Sequence, residues 1–329
     1  MGAPGETARP VLACGEVRTC LLPCRDAVSA AVAERLLTLR ADERVRVSQR
    51  PNLHAVSPEV LTGVDCRLPT ANRGKVRAVG TVAARASLTE GRVLQATAYF
   101  SAPAAGPDRR RPWGHYLARP GQLLPVGKLA ETVVAEAFLT ERWQPGADEL
   151  DIGSIAEGLL STISRKHRLL DYEVPLTSAT TSLRWAALPA ADGQGARLER
   201  FTVTADGVRL VRLRVPHGTE PAAVARLAED FALHDWLLTT VVDKLDGIRL
   251  GSVDGAGAGT LKVLRPLVDH LLHLWMPRTR LDRSLGVLWD VLEEEPGFSR
   301  QWQTLVQRVR DQLALHAATA RRELLSAGP

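Results

Sequence analysis

Apolar and polar residues alternate in a few stretches of this chain and recur at helical spacing in others. Residues 11–22, "VLACGEVRTCLL", read as a strand bent at Gly15 and ended by Pro23. Asp26 is the expected N-cap of a helix in which Val28, Val32, Leu36 and Leu39 share one face. "RVRVSQR" alternates strictly and predicts a half-buried strand. "KVRAVGTVAARASL" and "RVLQATAYFSA", joined by "TEG", predict a hairpin in which Gly91 supplies a positive φ. Residues 102–127 are rich in Pro and Gly and predict a surface loop. Helices are expected at about 128–142 and 152–168. Three strands are expected from "TSLRWAAL" through "RLERFTVTADGVRLVRLRV", with Asp206-Gly207 as a turn.

From Pro221 onward the periodicity is helical throughout, at about 221–247, 260–276, 280–294 and 298–325. Trp236, Trp275, Trp289 and Trp302 fall once per helix on or beside the apolar stripe. Core shared between packed helices is the expectation, with an interface anchor as a further role for one of them. The fold class is therefore α+β. Residues 1–127 form a β-rich N-terminal region with one helix. Residues 128–216 hold two helices and then a small central three-stranded antiparallel sheet, and residues 217–329 form a helical C-terminal bundle. Pattern alone leaves open whether the two strand groups share a sheet.

Composition narrows the function classes only slightly. The 329 residues are 45% hydrophobic, enough for a sizeable core, and the net charge is +5. Spread over this length, that surplus is no nucleic-acid signature by itself. No apolar run is long enough to span a membrane, and the start lacks a targeting pattern, so a cytoplasmic protein is expected. Cys14, Cys20, Cys24 and Cys66 offer one closely spaced pair, Cys20 and Cys24, without a second. Small buried residues are the expected role.

Three stretches carry candidate chemistry. "LVDHLLHLW" (267–275) places Asp269 and His273 four apart on a polar helix face, with His270 at its edge. These could form half of a zinc site completed by His234 or Asp235. His234, however, lies on the stripe of Phe231, Leu238, Val241 and Leu245, so a packed role is expected and no metal or other cofactor is favoured. "DGAGAGTLK" (254–262) has glycines, but Lys262 follows no glycine and the stretch follows a helix. An interhelical linker is the reading. "DRRRPWGHYLARPG" gathers Arg109, Arg110, Arg111, Trp113, His115, Tyr116 and Arg119 on a long loop, the best candidate binding surface for phosphates, bases or an acidic protein. No nucleophile elbow, Cys–His arrangement or paired carboxylate stands out.

The segments "VLACGEVRTCLLP" (11–23), "ERVRVSQRP" (43–51), "LTGVDCRLP" (61–69), "WGHYLARPG" (113–121), "FALHDWLLTT" (231–240), "LRPLVDHLLHLWMP" (264–277) and "EPGFSRQWQ" (295–303) run from end to end. In them the chain resembles a family of uncharacterised actinobacterial proteins of about this length. The resemblance implies genes encoded beside those for a variant P-loop protein and a methyltransferase-like protein, and so a multi-protein system. It carries over no catalytic residues. The expectation is a non-enzymatic adaptor or scaffold subunit, partnered by other proteins including that variant P-loop protein. Nucleic-acid binding through the 109–119 loop is one alternative, and a metal-dependent enzyme centred on His234, Asp269, His270 and His273 is another.

Overall fold

The computed structural model describes residues 10–70, 76–141, 145–247 and 256–326. Its centre is one mixed sheet of ten strands, so the expectation of a small central antiparallel sheet is corrected. The long strands are β1 (Pro10–Leu21), β5 (Arg77–Thr89), β6 (Val93–Pro103), β8 (Thr181–Pro189), β9 (Arg197–Val203) and β10 (Val208–Val215). Shorter ones are β2 (Arg46–Ser48), β3 (His54–Val56), β4 (Val60–Arg67) and β7 (Leu123–Pro125). The order is β2-β3-β5-β6-β1-β8-β10-β9, with β4 and β7 added along β5.

The join between the two expected strand groups is the pairing of β1 with β8, from Ala13 opposite Ala187 to Thr19 opposite Thr181. The central strands are not uniformly antiparallel either. β10 inserts between β8 and β9 and runs parallel to β8, which makes β9 the crossover. The β5–β6 hairpin forms as expected, with both Glu90 (φ 51°) and Gly91 (φ 59°) in the left-handed region that a tight turn needs. β2 is exposed along its whole length, where a half-buried strand was expected.

Helices cover both faces. α1 (Ala30–Leu37), α3 (Glu131–Phe138) and α4 (Ile152–Ser164) pack on the side bearing Cys14, Ala84, Ala98 and Phe100. Ser29, not Asp26, caps α1 by accepting from the Val32 amide. α2 (Trp113–Leu117) is a short turn of helix inside the expected loop. The other face is crossed by α5 (Pro221–Asp246), about 39 Å long. Pro221 sits in its first turn, where a missing N–H costs nothing. α6 (Ala256–His270) and α9 (Phe298–Ser326) pack against α5, and α7 (Arg283–Gly286) and α8 (Leu288–Glu294) share their core, forming the helical bundle expected after residue 217.

The tryptophans serve this packing. Trp236 and Trp289 are fully buried, and Trp275 stacks on Trp302 with ring centres 4.6 Å apart. Trp236 also donates to the Ala179 carbonyl at 3.0 Å. No described helix is long and apolar enough to cross a membrane.

The sheet face under α5 carries an ionic contact where a hydrocarbon core is the default. Thr81, Arg85, Ser87 and Thr89 point there from β5, and Gln95 and Thr97 from β6, all buried. Arg85 donates from Nε (2.8 Å) and Nη2 (3.0 Å) to both oxygens of Glu229 on α5. Gln95 donates to the Glu229 carbonyl (2.9 Å) and to the Thr19 hydroxyl (3.1 Å). A buried charge needs such a partner, so this contact fixes where α5 sits along the sheet.

Candidate functional site

The 109–119 loop reaches its place because α2 lies over the start of β5. Tyr116 is the peg: it is 1% exposed, packs with Val79 and Leu124, and accepts from the Arg111 amide at 2.9 Å. Of the seven loop residues singled out from sequence it is therefore the one turned inward, and it holds the loop without offering a binding surface. Arg109, Arg110, Arg111 and Trp113 are exposed. The Arg110 guanidinium lies 5.8 Å from the Trp113 ring centre and its Nε sits 3.2 Å from Asp65. Arg119 donates to the His115 carbonyl at 2.8 Å, closing the turn. Three arginines beside an indole remain available at the surface, with Asp65 neutralising part of their charge.

The C-terminal histidines do not converge. His234 is buried between the rings of Trp275 and Trp289. Its Nδ1 lies 2.7 Å from the Asp230 carbonyl and its Nε2 accepts from the Met276 amide at 3.2 Å. A carbonyl only accepts and an amide only donates, so the ring is the Nδ1–H tautomer with both nitrogens engaged. Burial pushes its pKa down. The expected four-residue spacing on one helix also fails, because α6 ends at His270 and His273 sits on a separate 3-10 turn, Leu272–Leu274. Asp269 accepts instead from Arg265 at 3.3 Å on its own helix. Among the described residues no three His, Cys, Asp or Glu side chains gather as metal ligands.

Sequence reasoning passed over Asp230. Its carboxylate accepts from the Trp289 indole (2.7 Å) and the Arg278 amide (3.1 Å), tying α5 to α8 and to the turn before α7. In the glycine-containing stretch, residues 256–262 form the first turns of α6, while Asp254 and Gly255 lie outside the described residues. Cys14, Cys20 and Cys24 are buried, Cys66 is half-buried, and all four are free. Burial pushes the Cys20 thiol up to about 12 and Cys66 up to about 11.

A spacious site lies elsewhere. A cleft of about 660 Å³ opens where β9, at the end of the sheet, faces α5 and the junction of α8 with α9. Phe201, Leu238, Val242 and Phe298 form apolar walls, and the Phe201 and Phe298 rings meet edge to face at 5.6 Å. Val203 (54% exposed) and Val291 (38%) stand at its mouth. Its arginines are already engaged. Arg209 pairs with Asp235 and also donates to the Thr239 hydroxyl and the Gly207 carbonyl, and Arg200 donates to the Leu139 carbonyl at 2.9 Å. The volume falls in the range of ligand sites.

A turn at Gly207 (φ 75°) sends β10 back beneath β9, so β9 ends the sheet with no strand outside it among the described residues. Glu295, Pro296 and Phe298, where α8 meets α9, line the opposite side. No feature of residues 197–203 alone marks this place, since its walls come from three separated segments. Comparison of the chain with protein-family models, with curated proteins and with solved structures gave no match.

Proposed function

We propose that this protein is a non-enzymatic adaptor or scaffold subunit whose partner docks in the cleft between β9, α5 and the α8–α9 junction. The carrying observation is the cleft itself: apolar side chains stand open to solvent there, beside an unpaired strand edge. Exposed apolar surface of this kind marks interaction sites more often than chance placement does. His234 and Asp235 are each held by neighbouring protein groups, which suits a binding surface better than a reaction centre.

The family resemblance makes the variant P-loop protein the first partner to try. Tagged full-length chain, expressed with the proteins encoded next to it, should coelute with at least one of them in size-exclusion chromatography. Val291→Arg, which places a charge at the cleft mouth, should abolish that coelution while leaving the chain folded. A chain that elutes alone in every condition while its neighbours assemble without it contradicts the proposal.

A second reading has its own observation. Arg109, Arg110 and Arg111 are exposed beside Trp113, a pairing that suits phosphate and a stacked base. Retention on a single-stranded DNA resin should then fall steeply between low and moderate salt, and should be lost when the three arginines become serine. No retention at low salt ends this reading.

A further inference from the structure

The occupant of the cleft can be specified further. Resting on the docking role proposed above, we infer that the cleft receives an extended segment of a partner protein, added as a strand beside the 201–203 end of β9 and carrying basic side chains among apolar ones.

The backbone supplies the first argument. The Thr204 amide donates to the Val208 carbonyl at 2.9 Å where the β9–β10 hairpin closes. Hydrogen-bonded and non-hydrogen-bonded pairs alternate along an antiparallel ladder. Thr202 opposite Leu210 and Arg200 opposite Arg212 are therefore the bonded pairs. Phe201 and Val203, opposite Val211 and Arg209, aim their N–H and C=O groups away from β10, toward the open side of the sheet. The same two residues also present their side chains to the cleft. A strand laid beside them would gain main-chain bonds and apolar contact together, which is the logic of strand addition.

The rest of the edge argues for a short contact. Arg197, Glu199 and Arg200 put charge on the first half of β9, and the ladder shifts register between Arg212 and Leu213 opposite them. Charges and bulges are what guard a strand edge against indiscriminate pairing. The 201–203 end, Phe-Thr-Val, has neither.

Charge then selects the segment. The chain as a whole is net positive, yet the cleft is lined by Glu199, Asp235, Asp243 and Glu295 against Arg200 and Arg209. Asp235 is neutralised by Arg209, and Glu199 by Arg197, Arg212 and Arg214. Asp243 and Glu295 are both exposed, and neither has a cation against it among the described residues. They stand ready for the lysines or arginines of an incoming strand. An acidic segment, or a second copy presenting its own Asp243 and Glu295, meets repulsion.

The test uses the full chain and a displayed library of random twelve-residue peptides, with three variants. Val203→Pro removes one outward N–H and no ladder bond, at a position where an edge strand tolerates proline. Val203→Ala removes side chain only. Asp243→Asn with Glu295→Gln removes the free charge. Selected peptides should show alternating apolar and basic residues. Synthetic copies should bind Val203→Pro about tenfold more weakly and Val203→Ala only a few-fold more weakly. The neutralised double variant should lose the salt dependence of binding. Equal binding to wild type and Val203→Pro overturns strand addition while leaving the docking role standing. Enrichment of acidic peptides, no enrichment at all, or a dimer in light scattering that Val203→Pro dissolves overturns the assignment of the occupant.

Discussion

Replacing Glu229 by glutamine isolates the contact that seats α5 on the sheet. Glutamine keeps the shape of the side chain and removes its charge. Arg85 is 1% exposed, and in place of the carboxylate that accepts from it at 2.8 and 3.0 Å it would face a neutral amide with one acceptor oxygen. Breaking a buried pair from one side costs about 3–5 kcal/mol, because a desolvated charge is left uncompensated. Glu59, 3.6 Å from Arg85 on the other side, offsets part of this, so about 3 kcal/mol is expected. Measured against a domain stability of roughly 5–15 kcal/mol, that is a large fraction. Urea unfolding followed by tryptophan fluorescence reads it directly, since Trp185, Trp236 and Trp289 are all fully buried. Replacing both partners, Arg85→Met with Glu229→Leu, should restore most of the loss, because no charge is then stranded. A midpoint for Glu229→Gln within about 0.5 kcal/mol of wild type would refute the account of this contact, as would a double variant no better than the single.

Acid should destabilise the chain through half-buried His54. Burial, with Arg280, Arg85 and Arg46 nearby, pulls His54 down to about 3 from an ordinary 6.5. The unfolded state then binds the proton first, and stability falls as pH drops from 6.5 toward 3, by about 2 kcal/mol at pH 5 from His54 alone. His54→Gln should flatten that slope in unfolding curves taken from pH 7 to pH 5, and an unchanged slope argues against it. Gly15→Ala should destabilise by about 1–3 kcal/mol, since its Cβ would sit 2.6 Å from the Trp185 ring. A melting temperature equal to wild type would show that the indole can move aside. The thiols of Cys14 and Cys20, buried and raised in pKa, should react with a maleimide only on unfolding, whereas fast labelling of native protein would place them at the surface.

Local features of the fold were legible in the sequence, and long-range ones were not. The "TEG" turn and the alternation of 208–215 fixed their strands because hairpin chemistry lies within a few residues. β3 and β4 escaped notice: β3 is three residues long, and β4 carries Gly63 and an irregular apolar pattern. The union of the two strand groups depends on β1 meeting β8 across more than 150 residues, which no local pattern encodes. His234 was readable as a packed residue from its place on the α5 stripe. Its acceptor, Asp230, lies one turn away, but its donor, Met276, comes from a turn whose path the periodicity did not give. The 109–119 loop was visible as a cluster of residue types. The cleft was not, because Phe201, Leu238 and Phe298 come together only once the sheet edge and the bundle are in place.

Amide hydrogen exchange on the full chain, alone and in its assembly, tests the central claim most directly. Docking in the cleft predicts slowed exchange at Phe201 and Val203, whose amides face the open edge, and at the α8–α9 junction around residues 295–298. Protection confined to the 109–119 loop, with those amides exchanging as fast as in the isolated chain, would contradict it.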